Sequence, residues 1–142
     1  MILEVDCGNS RIKWQVVYGE PQQLLSAGTA LDKKQLLTQL REASVRGLVK
    51  ARVVSVRAGV ETDNLVAALK LEYSVPVSLA HATKTLCGVS NGYLEPDLLG
   101  VDRWLAIVAA YTLTGAACLV LDLGTAVTAD FVRQDGMHLG GF

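Results

Sequence analysis

The sequence lacks the charge clusters, long apolar runs and leader pattern that would place it on a nucleic acid or in a membrane. Its 142 residues carry 13 basic and 14 acidic side chains, a formal net charge of −1, with no local Lys/Arg cluster. The longest apolar stretches, around 105–111 and 116–121, are too short to span a bilayer. The N-terminus has no basic region ahead of an apolar run, so it does not resemble a signal peptide. We expect no nucleic-acid partner and no membrane partner.

Cysteine and histidine are also scarce. Cys7, Cys87 and Cys118 are odd in number and form no C-x-x-C motif, which favours small buried residues over a disulfide or zinc framework. Such cysteines are typical of a reducing compartment, so we expect a cytoplasmic protein. His81 and His138 stand alone in the sequence, and neither is predicted to be a ligand.

Two familiar phosphate-binding motifs are missing. The chain contains neither G-x-x-x-x-G-K-[S/T] nor G-x-G-x-x-G, which disfavours P-loop kinases and Rossmann dehydrogenases. What the chain does have is apolar content: 51% of its residues are hydrophobic and 19% are charged, a balance that supports a buried core and argues against disorder.

One short pattern occurs twice. Residues 6–10 read Asp-Cys-Gly-Asn-Ser and residues 122–126 read Asp-Leu-Gly-Thr-Ala; each follows an apolar run and precedes a mixed segment. A buried strand ending in Asp, a Gly-containing turn and a second strand would form a hairpin. Glycine lets the turn approach a ligand, its N–H groups can hold phosphate, and the Asp can hold a cation. Either copy alone could be an ordinary hairpin, but the repetition favours phosphate binding.

The repeat also predicts the domain organisation. We expect a first α/β domain over 1–115 and the start of a duplicated second domain over 116–142. Because the second copy has only 21 residues from Asp122 to Phe142, the chain is expected to be a fragment of a longer protein. The paired glycines at 140–141 are typical of a turn.

Hydrophobic periodicity predicts an α/β fold with a mixed sheet flanked by helices. Strands are predicted near 2–6, 11–18, 24–29, 48–56 and 75–79, and helices over 33–43, 61–73 and 102–113. Asp32 is a plausible N-cap, and Pro76 places its strand at a sheet edge or marks the start of the strand. Residues 80–100 are predicted to be loop-like. Asp130 and Asp135, in the second hairpin, are expected to face solvent.

Three ordered segments carry a resemblance to a known family. They are Asp6-x-Gly8-Asn9-Ser10-x-x-Lys13, Gly100-Val101-Asp102-Arg103-Trp104 and Asp122-x-Gly124-Thr125-Ala126. Together, with Tyr93 and Pro96 just upstream of the second, they resemble the signatures of type III pantothenate kinase along the whole chain. That family belongs to the actin-like, sugar-kinase and Hsp70 ATPase superfamily. The resemblance implies an actin-like (ribonuclease H-like) domain followed by the opening hairpin of its duplicate.

The resemblance implies ATP-dependent phosphorylation of pantothenate to 4′-phosphopantothenate, the first step of coenzyme A biosynthesis. Asp102 is the implied base that accepts the hydroxyl proton, although an Asp at a helix start is more often a cap. Arg103 is the implied clamp for the substrate carboxylate, with a surface ion pair as the alternative. Tyr93, Gly100 and Val101 are expected to shape the same pocket, and Trp104 to pack in the core.

On the nucleotide side, the resemblance implies ATP, Mg²⁺ and a monovalent cation, K⁺ or NH₄⁺. Asp6 is the expected magnesium residue, and Asp122 the expected monovalent-cation residue. The residues expected to bind ATP are Asp6, Cys7, Gly8, Asn9, Ser10, Arg11, Ile12, Lys13 and Thr125.

The family is typically homodimeric, and the apolar helix over 102–113 is predicted to form the interface, with simple burial as the alternative. Two other functions remain open at this point. One is a different enzyme of the superfamily, such as a sugar or acetate kinase or a phosphatase. The other is a non-catalytic, nucleotide-binding regulatory accessory protein of the same family. The fragment alone is expected to be inactive.

Overall fold

The chain folds into two compact units, Met1–Ala80 and His81–Phe142. The computed structural model describes residues 1–124 and 126–142, so Thr125, one of the expected phosphate contacts, lies outside the described residues. In that described part of the chain, no helix is both long and apolar enough to cross a bilayer. The domain boundary expected at residue 115 was based on the repeated motif, whereas these two units are defined by compactness. The expected boundary therefore stays a prediction.

The first unit is built on a five-stranded mixed sheet in the order β3-β2-β1-β4-β5. Strand β1 runs antiparallel to β2 and parallel to β4, and the short β5 lies at the edge, as Pro76 predicted. The strands are β1 (Ile2–Cys7), β2 (Ile12–Tyr18), β3 (Gln23–Ala30), β4 (Lys50–Ser55) and β5 (Val77–Leu79), and the helices are α1 (Lys33–Glu42) and α2 (Gly59–Tyr73).

One face of this sheet is apolar and packs on both helices. Leu3, Val5 and Cys7 alternate along β1 into a single buried cluster, because successive strand residues point to opposite faces. Helix α1 packs on β2 and β3, and α2 on β4 and β5. Asp32 caps α1 as predicted, since its carboxylate accepts the Gln35 N–H at 2.8 Å.

The second unit joins a small hairpin, one long helix and a three-stranded sheet. Its elements are β6 (Thr85–Leu86), β7 (Val89–Ser90), a 3-10 helix (Pro96–Leu98), α3 (Val101–Thr114), β8 (Cys118–Leu123), β9 (Val127–Val132) and β10 (His138–Gly141). Helix α3 packs on β8 and β9. Trp104 is fully buried at the centre of this core, as predicted, beside Ile107, Val89 and Val132.

Both predicted hairpins are present, and their likeness extends to a third strand. Asp6 is the fifth residue of the six-residue β1, and Asp122 is the fifth residue of the six-residue β8. Each strand pairs antiparallel with the next, and that strand pairs antiparallel with a third, giving the orders β3-β2-β1 and β10-β9-β8. The repeated unit is therefore a three-stranded meander.

One local prediction was incomplete and another was wrong. Residues 80–100 are not simply a loop, because Cys87 and Gly88 take left-handed φ values of 48° and 82° and close the β6–β7 hairpin. The paired glycines do not form a turn: Gly141 lies in β10 and pairs with Asp130 on β9. A side chain at Gly141 has no room beside the Ala129 carbonyl and the Asp130 carboxylate, so this glycine serves close strand approach.

Candidate active site

The first turn of α3 displays the predicted base. Gly100 is the N-cap, the helix begins at the half-buried Val101, and Asp102 is exposed. The Asp102 Oδ1 atom accepts the Arg103 backbone N–H at 2.8 Å. A Cβ atom at Gly100 would lie 2.8 Å from that same oxygen, so glycine leaves room for the carboxylate. Asp102 is thus not the N-cap residue of α3, which weakens the capping interpretation.

Arg103 is held by a buried carboxylate. Its Nε donates to Asp130 Oδ2 at 3.0 Å and its Nη2 donates to Asp130 Oδ1 at 2.7 Å, a bidentate pair. The Asp130 side chain is only 2% exposed and that of Arg103 is 21% exposed, so this is not the surface ion pair considered from the sequence. The hydrogen bond to Asp130 raises the pKa of Arg103, and Tyr93 makes a smaller contribution in the same direction.

The expectation that Asp130 faces solvent was wrong, whereas Asp135 is exposed as expected. Burial alone would raise the pKa of the Asp130 carboxyl, but hydrogen bonds from Arg103 and His138 outweigh it and lower that pKa below its ordinary 3.8. A signal for this was present: Asp130 stands two residues before the buried Val132 in a strand, which puts both on one face.

His138 is the other residue that the sequence did not indicate. It is fully buried, and its Nε2 lies 2.9 Å from Asp130 Oδ1. Its Nδ1 accepts the Gly92 backbone N–H at 3.4 Å, which assigns the ring proton to Nε2 and makes His138 a donor to Asp130. No sequence signal marked His138, because its burial depends on β10 pairing with β9.

The loop that carries Tyr93 is fixed on this cluster. The Tyr93 ring stacks on His138 with centroids 6.1 Å apart and an interplanar angle of 10°. Its backbone N–H donates to the buried Asn91 Oδ1 at 3.0 Å, and Lys84 Nζ donates to the Tyr93 carbonyl at 3.2 Å. The structure therefore brings together Tyr93 and Arg103, two predicted substrate residues, around Asp130 and His138.

The first hairpin offers an exposed turn. Asn9 and Ser10 are exposed between β1 and β2, while Gly8 is half-buried and its carbonyl accepts Arg57 Nε at 2.9 Å. Arg57 was not singled out from the sequence, because it follows β4 and has no motif around it. Its hydrogen bond fixes one end of the turn that the sequence predicts to bind phosphate.

The remaining predicted nucleotide residues of this hairpin differ in what they can offer. Cys7 and Ile12 are buried, and burial raises the pKa of the Cys7 thiol to about 11, so these two can contribute only backbone groups. Lys13 is exposed and lies opposite the half-buried Asp6 in the pairing of β1 with β2; Arg11 is exposed as well.

The described part of the chain has no cluster of side chains that would form a complete metal cage. There, no group of three or more His, Cys, Asp or Glu side chains could hold a metal ion. Asp6, at the end of β1, and Asp122, exposed at the end of β8, each offer oxygen ligands. Hard cations accept one or two carboxylates and complete their shell with water or other oxygen atoms, so each of these residues separately fits the role of one cation ligand without a protein cage.

The fold of the chain is shared by a solved structure. A putative 2-dehydro-3-deoxygalactonokinase from Sinorhizobium meliloti superposes with a TM-score of 0.57 over 99% of this chain and 53% of its own, at 14% identity. That likeness shows the fold alone. The mixed sheet flanked by helices, opened by an antiparallel meander, is an α/β domain with the actin-like fold.

Sequence comparison identifies the family to which the chain belongs. A model of the type III pantothenate kinase family matches residues 2–142, and the chain belongs to that family. It is 49% identical over 142 residues to type III pantothenate kinases from Pseudomonas fluorescens Pf0-1 and Pseudomonas aeruginosa PAO1. The relative from Azotobacter vinelandii is 48% identical over 143 residues. All of this chain is covered in each comparison, and it spans 57% of the relatives' length.

Proposed function

We propose that the complete protein carrying this chain transfers a phosphoryl group from ATP to the hydroxyl of pantothenate, the first step of coenzyme A biosynthesis. The single observation that carries this is the start of α3, where an exposed Asp102 is followed by a fixed Arg103. The substrate has a hydroxyl to be deprotonated and a carboxylate to be bound. Adjacent acidic and basic side chains suit those two tasks. The relatives at 49% identity carry the name of this activity.

Asp102 is the proposed base. Phosphoryl transfer asks a protein mainly to position reactants and neutralise charge, with a group that receives the hydroxyl proton. One Asp102 oxygen accepts the Arg103 N–H, and within the described residues the other oxygen has no hydrogen-bond partner. That second oxygen is available to a substrate hydroxyl at hydrogen-bond distance, about 3 Å.

Arg103 is the proposed carboxylate ligand. Asp130 uses its Nε and one N–H of Nη2, and Tyr93 makes a weaker side-chain hydrogen bond, so at least two of the five guanidinium N–H groups remain for a second carboxylate. Tyr93, Gly100 and Val101 line the same pocket in this proposal. The Tyr93 loop is already fixed by Asn91 and Lys84, which supports a preformed wall.

The ATP phosphates are proposed to bind residues 6–13 and Thr125. Asp6 would hold Mg²⁺ with its water shell, and Asp122 would hold K⁺ or NH₄⁺. When bound, these cations neutralise phosphate charge, while the chain's own turn residues orient the phosphates through backbone N–H groups. We also propose a cytoplasmic homodimer with α3 in its interface.

A coupled ADP-release assay on the complete protein tests the proposal. Pantothenate, a panel of sugars and acetate are each offered with ATP, Mg²⁺ and either K⁺ or Na⁺. Of these acceptors, the proposal expects only pantothenate to give ADP release, and it expects faster release in K⁺ than in Na⁺. Release with a sugar or acetate instead would indicate another kinase of the superfamily. ATP binding without turnover on any acceptor would indicate an accessory protein.

A further inference from the structure

Asp130 is a buried charge that the proposed chemistry does not use. Its side chain is 2% exposed and lies between Arg103 and His138, both within 3.0 Å. Burying a carboxylate is costly unless it is paired and hydrogen-bonded, and replacing such a pair by apolar residues is often neutral or stabilising. Stability alone is therefore a weak reason for this arrangement. Asp130 contacts Arg103 directly and is connected to Tyr93 through His138, and these are two side chains that we assign to substrate binding.

We propose that Asp130 and His138 are positioning residues for the substrate carboxylate, orienting Arg103 from one side and the Tyr93 loop from the other. This inference rests on the proposed function, because it concerns how Arg103 meets pantothenate. It assigns a role to two residues on β9 and β10 that do not themselves touch the substrate.

On the Arg103 side, the geometry fixes a planar group. The bidentate contact uses the edge formed by Nε and Nη2, and it sets the plane of the guanidinium through two hydrogen bonds of 3.0 and 2.7 Å. A long, flexible side chain loses conformational freedom when it binds a ligand, and ordering it in advance reduces that loss. The remaining Nη1–Nη2 edge is then presented to a second carboxylate in one orientation.

On the Tyr93 side, His138 links the carboxylate to the loop. Its Nε2–H donates to Asp130 while its Nδ1 accepts the Gly92 N–H, and its ring stacks on Tyr93. Gly92 has no room for a side chain against the His138 carbonyl, so the loop and β10 are in close contact. Displacing His138 would loosen both the loop and the Asp130 carboxylate.

The test compares Asp130→Asn, Arg103→Ala and the double variant in the complete protein, with Asp135→Asn as the control. Asp135 is an exposed carboxylate that also pairs with an arginine, Arg133, so its replacement removes the same charge without touching the cluster. The KM for pantothenate, the KM for ATP and kcat are measured for each. Pantothenyl alcohol, in which a hydroxymethyl group replaces the carboxylate, serves as the second acceptor.

A positioning role predicts that Asp130→Asn raises the KM for pantothenate by about tenfold and leaves the KM for ATP within about twofold. The preference for pantothenate over the alcohol should fall towards that of Arg103→Ala. In the double variant the two effects should not add, because both act through one guanidinium. His138→Gln, which can still donate to Asp130 but lacks the ring, should give a smaller change in the same direction.

Other outcomes overturn the inference. If Asp130→Asn and His138→Gln lower only the melting temperature and keep the acceptor preference, the cluster is a structural pair. Additive effects in the double variant would also make the cluster a structural pair. If Asp130→Asn does not fold, His138→Gln decides by the same preference measurement. Failure of the proposed function is distinct, because the unmodified protein would then not phosphorylate pantothenate or not prefer it to the alcohol.

Discussion

Asp102 and Arg103 are neighbours in sequence but have opposite surroundings. Asp102 is exposed on the first turn of α3, whereas Arg103 is mostly buried against Asp130. A general base must be accessible to the substrate hydroxyl. A residue that binds the substrate carboxylate binds it more tightly when its side chain is ordered in advance. The two residues therefore should respond differently to substitution.

Replacing Asp102 by Asn removes the proton acceptor and keeps the size. We expect kcat of the complete protein to fall by roughly 10²–10⁴ with ATP binding nearly unchanged. Steady-state kinetics and ATP titration measure both quantities. Asp63→Asn, an exposed acid on α2, is the control. Activity within about threefold of the parent would be too small a change for a lost general base and would remove Asp102 from this role.

Arg103→Ala should weaken the binding of pantothenate more than the binding of ATP. The loss of a charged, bidentate contact should weaken pantothenate binding by about 2–4 kcal/mol and so raise the KM for pantothenate, while the KM for ATP changes little. The melting temperature should also fall, because Asp130 is left buried without its main partner. Arg133→Ala, which removes an exposed pair with Asp135, is the matched control and should show neither effect. A change confined to ATP would place Arg103 in the nucleotide site.

Asp130 should make stability depend on acid pH. Because the folded pKa of this carboxyl lies below its ordinary 3.8, the charged form is favoured in the native state. The stabilisation is therefore fully present above about pH 4 and is lost as the pH falls through the lower folded value. Urea unfolding of the parent and of Asp130→Asn from pH 7 to pH 3 should show their free energies of unfolding converge with acid. A constant difference would contradict this account.

At the scale of elements, α3 links the site to a candidate interface. Its buried residues Trp104, Ile107 and Val108 face the core of the second unit, which confirms part of the burial alternative. Its last turn is different, since Leu113 is 87% exposed and Ala109, one turn earlier, is exposed too. An apolar face that is not covered within its own unit is available for association.

We expect Leu113→Glu to weaken the proposed homodimer. A charge placed in an apolar interface is costly to desolvate, so the variant should shift towards monomer in light scattering at micromolar concentration. Leu71→Glu is the control, because Leu71 on α2 is equally exposed at 86%. A parent protein that is already monomeric, or equal behaviour of the two variants, would argue against an α3 interface.

Elements with their own periodicity were predictable from the sequence, and elements defined by their partners were not. Helix α1 was bounded by Asp32 and by apolar residues at helical spacing, and β1 and β8 by apolar runs ending in Asp. Strand β10 contains glycines and gains its identity only by pairing with β9, so its local pattern suggested a turn.

The same distinction separates the site residues. Asp102 and Arg103 lie together in a motif, and both could be named from sequence. Asp130 contacts Arg103 directly from β9, whereas His138 contacts Asp130 from β10, the strand that pairs with β9. Asp130 could have been recognised by its alternation with Val132 along β9. His138 had no such signal, because its burial is a tertiary effect.

At the scale of the whole molecule, the chain corresponds to only part of the length of its relatives, and this bears on its expected activity. It covers 57% of the Pseudomonas fluorescens relative, and both proposed parts of the site lie in that portion. We expect residues 1–142 alone to give no measurable turnover and to bind ATP only in the high micromolar to millimolar range, since exposed phosphate contacts contribute little by themselves. Calorimetry and the ADP-release assay measure this. Low-micromolar ATP affinity or steady turnover would contradict it.

The most direct test of the central claim follows the phosphoryl group itself. The complete protein is mixed with ATP and pantothenate, the reaction is stopped after one turnover, and the acceptor is examined by mass spectrometry alongside Asp102→Asn. The account predicts pantothenate carrying one phosphoryl group with the parent protein, and roughly 10²-fold less or lower with the variant. ADP appearing while pantothenate stays unmodified, or equal product from both proteins, would contradict it.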